Sequence, residues 1–197
     1  MLKAMNSYEY PVSSGNADAH GCATVPSIFG CMLNAMEKDI AKDGSRPVLL
    51  RSELEIDERP KVDDAFNVLV INDTNEVDYR SNINVNTQNK YVVLTDSEGI
   101  EIGRGMTEWY FDERAQNRAH EGIQSVETVG LVEKFCALLP KGLISGGLQT
   151  RIDIDFAHSV HAGDEMTFGI TKAYDDRYLF VARSGDRTLC RASLQVA

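Results

Sequence analysis

The sequence predicts an α+β protein made of two related units, each a long apolar helix followed by four antiparallel strands. Two blocks of the first half recur in the second half in the same order. Residues 54–57, Leu-Glu-Ile-Asp, match residues 152–155, Ile-Asp-Ile-Asp, and residues 90–93, Lys-Tyr-Val-Val, match residues 177–180, Arg-Tyr-Leu-Phe. A helix candidate precedes each set of blocks. Matched strands in a fixed order, separated by one deletion, indicate a duplicated unit.

The helix candidates are assigned from their apolar spacing and from the signals at their ends. The first spans residues 26–42, with Thr24 as its cap and Pro26 in its first turn. Its apolar residues cover a broad face, so we expect it to be buried on most sides. The second spans residues 126–139 and ends before Pro140.

Strands are predicted where apolar residues alternate with polar ones, as they do around Leu54 and Ile56. A four-stranded antiparallel sheet has one face to bury, and a single helix can cover that face. The predicted strands span residues 8–12, 48–59, 65–72, 80–95 and 100–111 in the first half, and 149–158, 165–174, 177–184 and 188–196 in the second.

We divide the chain into a first unit, residues 1–115, and a second, smaller unit, residues 116–197. Only the first unit has a strand and a small polar loop, residues 13–21, ahead of its helix. A site built between duplicated units usually persists in one half only. We therefore look for the chemistry in the loop of the first unit.

Composition and charge narrow the class of function. The 197 residues are 43% hydrophobic and 25% charged, which is typical of a globular protein. The net charge of −10, without a Lys/Arg run, argues against a nucleic-acid partner. No apolar stretch is long enough to span a membrane, and the first residues lack the apolar core of a signal peptide. With four widely spaced cysteines, we expect reduced thiols, no metal site, no cofactor and a cytoplasmic location.

The polar loop resembles a motif of one protein family. Residues 12–22 have the sequence Val-Ser-Ser-Gly-Asn-Ala-Asp-Ala-His-Gly-Cys. This segment resembles the strand, the Asp-x-Asp-x-x-Gly-His-type loop and the central helix of hotdog-fold thioesterases. Asp18 and Gly21 match that motif, Asn16 stands where Asp is common, and Cys22 stands where the family usually has His.

Further segments are similar to the acyl-ACP thioesterase group of that fold. They are residues 54–70 with Arg59-Pro60 at the bend, Glu98-Gly99 followed by residues 107–112, and Phe156, Val160 and Gly163-Asp164 in the second unit. The resemblance implies a tandem (double) hotdog, in which each antiparallel sheet wraps around a long central helix. It also implies an acyl-thioester hydrolase whose partner is an acyl thioester of CoA or of acyl carrier protein.

Thioester hydrolysis needs a carboxylate that activates water or attacks directly, and donors for the oxyanion that forms. In the loop, Asp18 supplies the carboxylate, and His20 orients it or shuttles a proton. The backbone N–H groups of residues 22–28 supply the oxyanion donors, so Gly21 and Cys22 are expected to contact the substrate. Cys22 is also a weaker candidate for a nucleophile. The structural alternative is that Asp18 is a turn or cap residue and that His20 is merely solvated.

Two more candidates lie on the first helix. Glu37 shares part of its apolar face, where burial would suit a general base. The alternative is that Glu37, Lys38 and Asp39 together mark the solvated rim of the helix. Asn34 either lines the substrate site or is simply exposed.

Three functions remain open from the sequence. The first is the acyl-ACP or acyl-CoA thioesterase, with the acyl chain along the first helix. The second is a hotdog dehydratase or hydratase acting on 3-hydroxyacyl thioesters, which would pair His20 with Glu37. The third is a non-catalytic acyl-thioester-binding protein, which Cys22 in place of His favours. Open edge strands also predict that two copies can pair as a homodimer.

Overall fold

The described residues form two α-helices and nine strands. The computed structural model describes residues 5–40, 48–71, 87–110, 125–144, 149–157, 165–174 and 176–196. The helices are α1 (Val25–Ile40) and α2 (Ser125–Leu138). The strands are β1 (Met5–Pro11), β2 (Val48–Ile56), β3 (Ala65–Ile71), β4 (Thr87–Thr95), β5 (Glu101–Tyr110), β6 (Thr150–Phe156), β7 (Thr167–Lys172), β8 (Arg177–Ser184) and β9 (Arg187–Val196).

The predicted antiparallel sheet with two helices is confirmed. Wherever described residues allow the comparison, the predicted ends of the elements lie within three residues of the observed ones. Several parts of the predictions fall outside the described residues. They include residues 80–86 of a predicted strand, the unit boundary after residue 115, and the segment containing Val160 and Gly163-Asp164. The last residues of some other predicted elements, such as residues 41–42 of the first helix, also fall outside.

Apart from β1, which has no counterpart among the described strands, the order of the strands is symmetric about the junction of β2 and β6. It is β1-β3-β4-β5-β2-β6-β9-β8-β7, and the series β3-β4-β5-β2 is followed by the corresponding series in reverse. The halves meet at β2 and β6, which are antiparallel, with Leu54 opposite Ile152. These two residues also match in the sequence repeat, so each lies opposite its own counterpart. The sheet therefore has the internal twofold symmetry that a duplication would produce.

Helix α1 is largely buried in the core. It begins after Thr24, whose Oγ1 accepts the N–H of Ser27 at 3.3 Å, as expected for an N-cap. Its inward residues, among them Phe29, Met32 and Met36, are fully buried. The helix packs against α2, β1 and β3, so one continuous core serves both halves of the sheet. Within the described residues, neither helix is long and apolar enough to cross a membrane.

Two glycines of β5 let α1 and β2 come close to that strand. A Cβ at Gly105 would clash with Sδ of Met32 and would lie 3.0 Å from the carbonyl oxygen of Glu53. A Cβ at Gly103 would lie 2.5 Å from the backbone oxygen of Glu55. The glycines are therefore required by close packing, since interiors leave no room for an extra methyl group.

We expect Gly105→Ala to lower the free energy of unfolding by about 1–3 kcal/mol, because it overpacks the contact with Met32. Urea denaturation of Gly105→Ala, Met32→Ala and the double variant measures the coupling, which we expect to exceed about 0.5 kcal/mol. Gly103→Ala is the matched control, because its clash is with backbone that Met32→Ala cannot relieve. Equal coupling of Met32→Ala with both glycine variants would contradict this account.

Candidate functional site

The polar loop before α1 is a tight turn fixed by hydrogen bonds. The N–H of Asp18 donates to the carbonyl of Cys22 at 2.8 Å, and the N–H of Gly21 donates back to the carbonyl of Asp18 at 2.9 Å. Gly21 has a φ of 74°, a conformation that favours glycine. The N–H of Val62 donates to the carbonyl of Gly21 at 2.8 Å, which ties the loop to the bend after β2. Gly21 is thus required for the turn.

The carboxylate of Asp18 holds this loop together. Its Oδ1 accepts the backbone N–H groups of His20 at 2.8 Å and Cys22 at 3.1 Å. Its Oδ2 lies 3.2 Å from Nη1 of Arg59, whose side chain is only 1% exposed. Both oxygens of the predicted catalytic carboxylate are therefore engaged with donors. This arrangement is the one expected if Asp18 is a turn or cap residue.

Arg59 is a buried cation. The sequence predicts its place at a bend but not its burial. Its Nη1 also donates to the carbonyl of Ala23 at 3.3 Å. Its Nε and Nη2 atoms are buried and have no hydrogen-bond partner in the described part of the chain. Asp18 is the carboxylate that balances this charge, so the pair has a strong structural role.

The backbone amides at the start of α1 do not match the expected oxyanion site. Pro26 has no N–H group, and five other amides in residues 22–28 already donate within the protein. They are the N–H groups of Cys22 to Asp18, Ala23 to Pro60, Thr24 to Asn16, Ser27 to Thr24 and Ile28 to Thr24. The expectation that these donors serve an oxyanion is therefore wrong for these five amides, because the folded loop uses them itself.

The remaining predicted residues are spread along α1 and its approach. His20 is exposed in the loop, and Cys22 is buried. Glu37 is half-buried and lies about 18 Å along the helix axis from Val25. His20 and Glu37 therefore do not form the pair that a dehydratase would need. Asn34 is exposed, and it lines the cavity between the helices.

The expectation that Asp39 lies on a solvated rim is wrong. Its side chain is only 4% exposed, and its Oδ2 lies 3.0 Å from Nζ of Lys90. Its Oδ1 accepts a hydrogen bond from Nδ2 of Asn6 at 2.5 Å. These two contacts of Asp39 join the last turn of α1 to β1 and β4. The apolar spacing of the helix could not predict them.

A cavity of about 380 Å³ lies between α1, α2, the end of β1 and the polar loop. That volume is within the usual range for ligand sites. Polar side chains line it from β1, the segment before α1, and both helices: Tyr10, Asn16, Thr24, Ser27, Asn34 and Glu133. Glu133 is the one carboxylate among the described residues that form its lining. Asp18, His20 and Glu37 are not part of that lining.

A second groove, of about 540 Å³, lies on the outer face of the sheet. Its carboxylates are paired, since Arg104 Nε lies 3.0 Å from Glu55 and Arg151 Nη2 lies 3.4 Å from Glu53. Because its acids are already neutralised by arginines, this groove is a weaker candidate for a catalytic site than the cavity between the helices.

Burial keeps two cavity residues protonated well above neutral pH. It raises the pKa of Tyr10 to about 12, with smaller contributions from Cys31 and Tyr8. It also raises the pKa of Cys31 to about 11, against a smaller lowering by Lys38. Cys31 is therefore a thiol and a poor nucleophile, while Tyr10 remains a hydrogen-bond donor.

We expect stability to fall as the pH rises above 9. Burial raises the thiol pKa values of Cys31 to about 11 and of Cys136 and Cys190 to about 12, so each thiol ionises more easily in the unfolded chain. Their stabilising contribution is complete below pH 9 and is lost as the pH rises through 11 to 12. Urea denaturation at pH 8 and pH 10 should show a loss of about 1 kcal/mol per thiol. Cys190→Ala should show a smaller loss, and an equal loss would contradict the assignment.

The comparisons with known proteins concern the fold. No protein-family model matches the sequence, and a search of curated proteins also gives no match. Among solved structures, the chain is similar to an acyl-ACP thioesterase from Bacteroides thetaiotaomicron, with a TM-score of 0.77 and 15% identity over 98% of both chains. It is also similar to the 12:0-ACP thioesterase from Umbellularia californica, with a TM-score of 0.74 and 7% identity over 98% of this chain and 94% of that one. The resemblance to hotdog-fold acyl-ACP thioesterases is thus confirmed at the level of the fold.

Proposed function

We propose that this protein is an acyl-thioester hydrolase acting on acyl groups carried by acyl carrier protein or CoA, and that its fold is the tandem double hotdog. The observation that carries the proposal is the end-to-end match to acyl-ACP thioesterases, which covers 98% of this chain. A match over both halves of the sheet favours the duplicated form over a single hotdog unit. Residues 1–115 and 116–197 are the proposed units.

The proposed site is the cavity between α1 and α2. The polar loop, with Gly15 and Asn16, and the N-cap residue Thr24 form one wall. In this proposal Asp18 and Gly21 hold that wall in place, because their hydrogen bonds fix the loop. His20 lies in the exposed part of the loop.

The proposed acyl path follows the buried face of α1. Met32 and Met36 lie on that face, and Oγ1 of Thr107 donates to Sδ of Met36 at 2.9 Å. Methionine is the most adaptable apolar side chain, so these two residues can move aside for an acyl chain more easily than branched residues could. The apolar face of α1 thus supports a substrate with an acyl chain.

A second candidate function is non-catalytic binding of acyl thioesters. The observation that favours it is that both oxygens of Asp18 and the amides of the loop are engaged within the protein. A dehydratase is less favoured, because His20 lies in the loop before α1 and Glu37 lies near the other end of that helix.

Thiol release from a panel of acyl-ACP and acyl-CoA thioesters tests the proposal. The hydrolase should release thiol at a saturable rate that is proportional to protein concentration. Calorimetry with a non-hydrolysable acyl-CoA thioether gives the affinity in parallel. Binding without thiol release would establish the binding protein instead, and neither binding nor release would reject both functions.

A further inference from the structure

We propose that Glu133 of α2 is the carboxylate that activates water in this cavity, and that Asn34 of α1 binds an amide of the pantetheine arm of the substrate. This inference rests on the proposed function and assigns its reacting groups. It transfers the catalytic role from the loop, where the sequence motif placed it, to the facing surfaces of the two helices.

The two helices cross closely and run in opposite directions. A Cβ at Gly30 of α1 would lie 3.2 Å from Cγ2 of Val129 on α2, so the helices touch at this point. Arg59 binds the carbonyl of Ala23, just before α1. It also acts electrostatically on Cys136 in the last turn of α2. The end of α2 therefore lies near the start of α1.

This antiparallel crossing places the two polar residues at opposite ends of the cavity. Glu133 lies one turn after Val129, in the direction of the first turn of α1 and Ser27. Asn34 lies one turn after Gly30, in the opposite direction. The cavity thus has an acidic end beside the start of α1 and an amide end further along it.

Glu133 is suited to act on a substrate because it lines the cavity and is exposed to it. Asp18, by contrast, is outside the lining and balances the buried charge of Arg59. The partial positive charge at the start of α1 also favours a carboxylate at this end of the cavity.

Asn34 is oriented by a hydrogen bond. The hydroxyl of Tyr10 donates to Oδ1 of Asn34 at 3.0 Å. Tyr10 stays protonated well above neutral pH, because burial raises its pKa to about 12. The Nδ2 group of Asn34 has no hydrogen-bond partner among the described residues. It is therefore available as a donor to the carbonyl oxygen of an amide.

The spacing of the two ends matches the pantetheine arm. Ser27 and Asn34 are seven residues apart on α1, which corresponds to about 10 Å along the helix axis. In an extended pantetheine arm, eight bonds separate the thioester carbonyl carbon from the nitrogen of the distal amide, a span of about 9 Å. A thioester placed beside Glu133 therefore brings the distal amide to Asn34.

The reaction step balances without another reagent. The carboxylate of Glu133 takes a proton from water as the water oxygen bonds to the thioester carbonyl carbon. The tetrahedral oxyanion then collapses and the C–S bond breaks. The departing sulfur takes the proton back from Glu133, which leaves a carboxylic acid, a free thiol and the carboxylate unchanged.

The Glu133 variant tests the catalytic assignment. We expect Glu133→Gln to lower kcat by about 10²–10⁴-fold, with little change in KM. Glu98→Gln, in the exposed turn between β4 and β5, is the control and should keep wild-type activity. Unchanged kcat in Glu133→Gln would overturn the assignment.

Two substrates separate the role of Asn34 from a general effect on folding. Acyl-pantetheine has the distal amide, and the thioester of N-acetylcysteamine lacks it. Asn34→Ala should raise KM about tenfold for acyl-pantetheine, the cost of one lost hydrogen bond, and should leave KM for the truncated substrate unchanged. Tyr10→Phe should have a smaller effect in the same direction. Equal effects on both substrates would overturn the assignment of Asn34.

Failure of the proposed function has a different signature. If the wild-type protein releases no thiol from any substrate, the hydrolase is rejected and Glu133 has no catalytic role. The affinity of wild type and Asn34→Ala for a non-hydrolysable acyl-pantetheine thioether then decides the binding role of Asn34. Equal affinity of the two proteins would reject it.

Discussion

Asp18→Asn should lower the free energy of unfolding by about 3–5 kcal/mol, because it leaves the guanidinium of Arg59 buried without a counter-charge. Asn can still accept the backbone N–H groups that Oδ1 of Asp18 accepts. It cannot balance the charge of an arginine that is only 1% exposed. Urea denaturation with tryptophan fluorescence measures the change.

Asp96 provides a close control for this prediction. Its Oδ1 accepts the N–H groups of Glu98 at 2.9 Å and Ile100 at 2.8 Å, the same spacing along the chain as at Asp18. It lies in an exposed turn, so Asp96→Asn should change the free energy of unfolding by less than about 1 kcal/mol. Replacing Arg59 by Met in the Asp18→Asn background should restore part of the lost stability. Equal stability of the Asp18 and Asp96 variants would contradict the role assigned to the buried pair.

Lys90→Met should lower the free energy of unfolding by about 3 kcal/mol, because it removes the cation from a buried ion pair. Nζ of Lys90 lies 3.0 Å from Oδ2 of Asp39, and the two side chains are 13% and 4% exposed. Without Lys90, the carboxylate of Asp39 loses its counter-charge in the core. The effect should appear as a lower midpoint of urea denaturation with an unchanged slope.

Lys172 is the matched control for Lys90. Its Nζ also lies 3.0 Å from a carboxylate, that of Asp176, but both side chains are more than half exposed. Lys172→Met should therefore change stability by less than about 1 kcal/mol. Adding Asp39→Asn to Lys90→Met should recover part of the loss, because it also removes the buried negative charge that Lys90 balances. A loss in the Lys90 variant no larger than in the Lys172 variant would show that burial does not strengthen the pair.

The elements of the fold were predictable because they depend on local patterns. Apolar spacing and the Thr24 cap place α1 to within two residues of its observed ends, and alternation places the strands of both halves. The repeat of residues 54–57 at 152–155 places the two central strands in corresponding positions, and in the sheet they are neighbours. Apolar periodicity predicts these elements because it shows directly which face of each helix or strand is buried.

The pairs that define the site were not predictable, because they join distant parts of the chain. Asp18 meets Arg59 only because the polar loop pairs with the bend after β2. Asp39 meets Lys90 only because β4 lies near the end of α1. The place of Glu133 in the cavity depends on how α1 and α2 cross at Gly30 and Val129. The apolar periodicity of a single helix does not predict how that helix crosses another one.

The central claim is that this protein hydrolyses acyl thioesters. The most direct test is the initial rate of free-thiol release from purified acyl-ACP, measured over a range of acyl-chain lengths with and without the protein. The account predicts a saturable rate that rises in proportion to the protein concentration and that has an optimum in chain length. A rate equal to that of buffer alone for every chain length would contradict it.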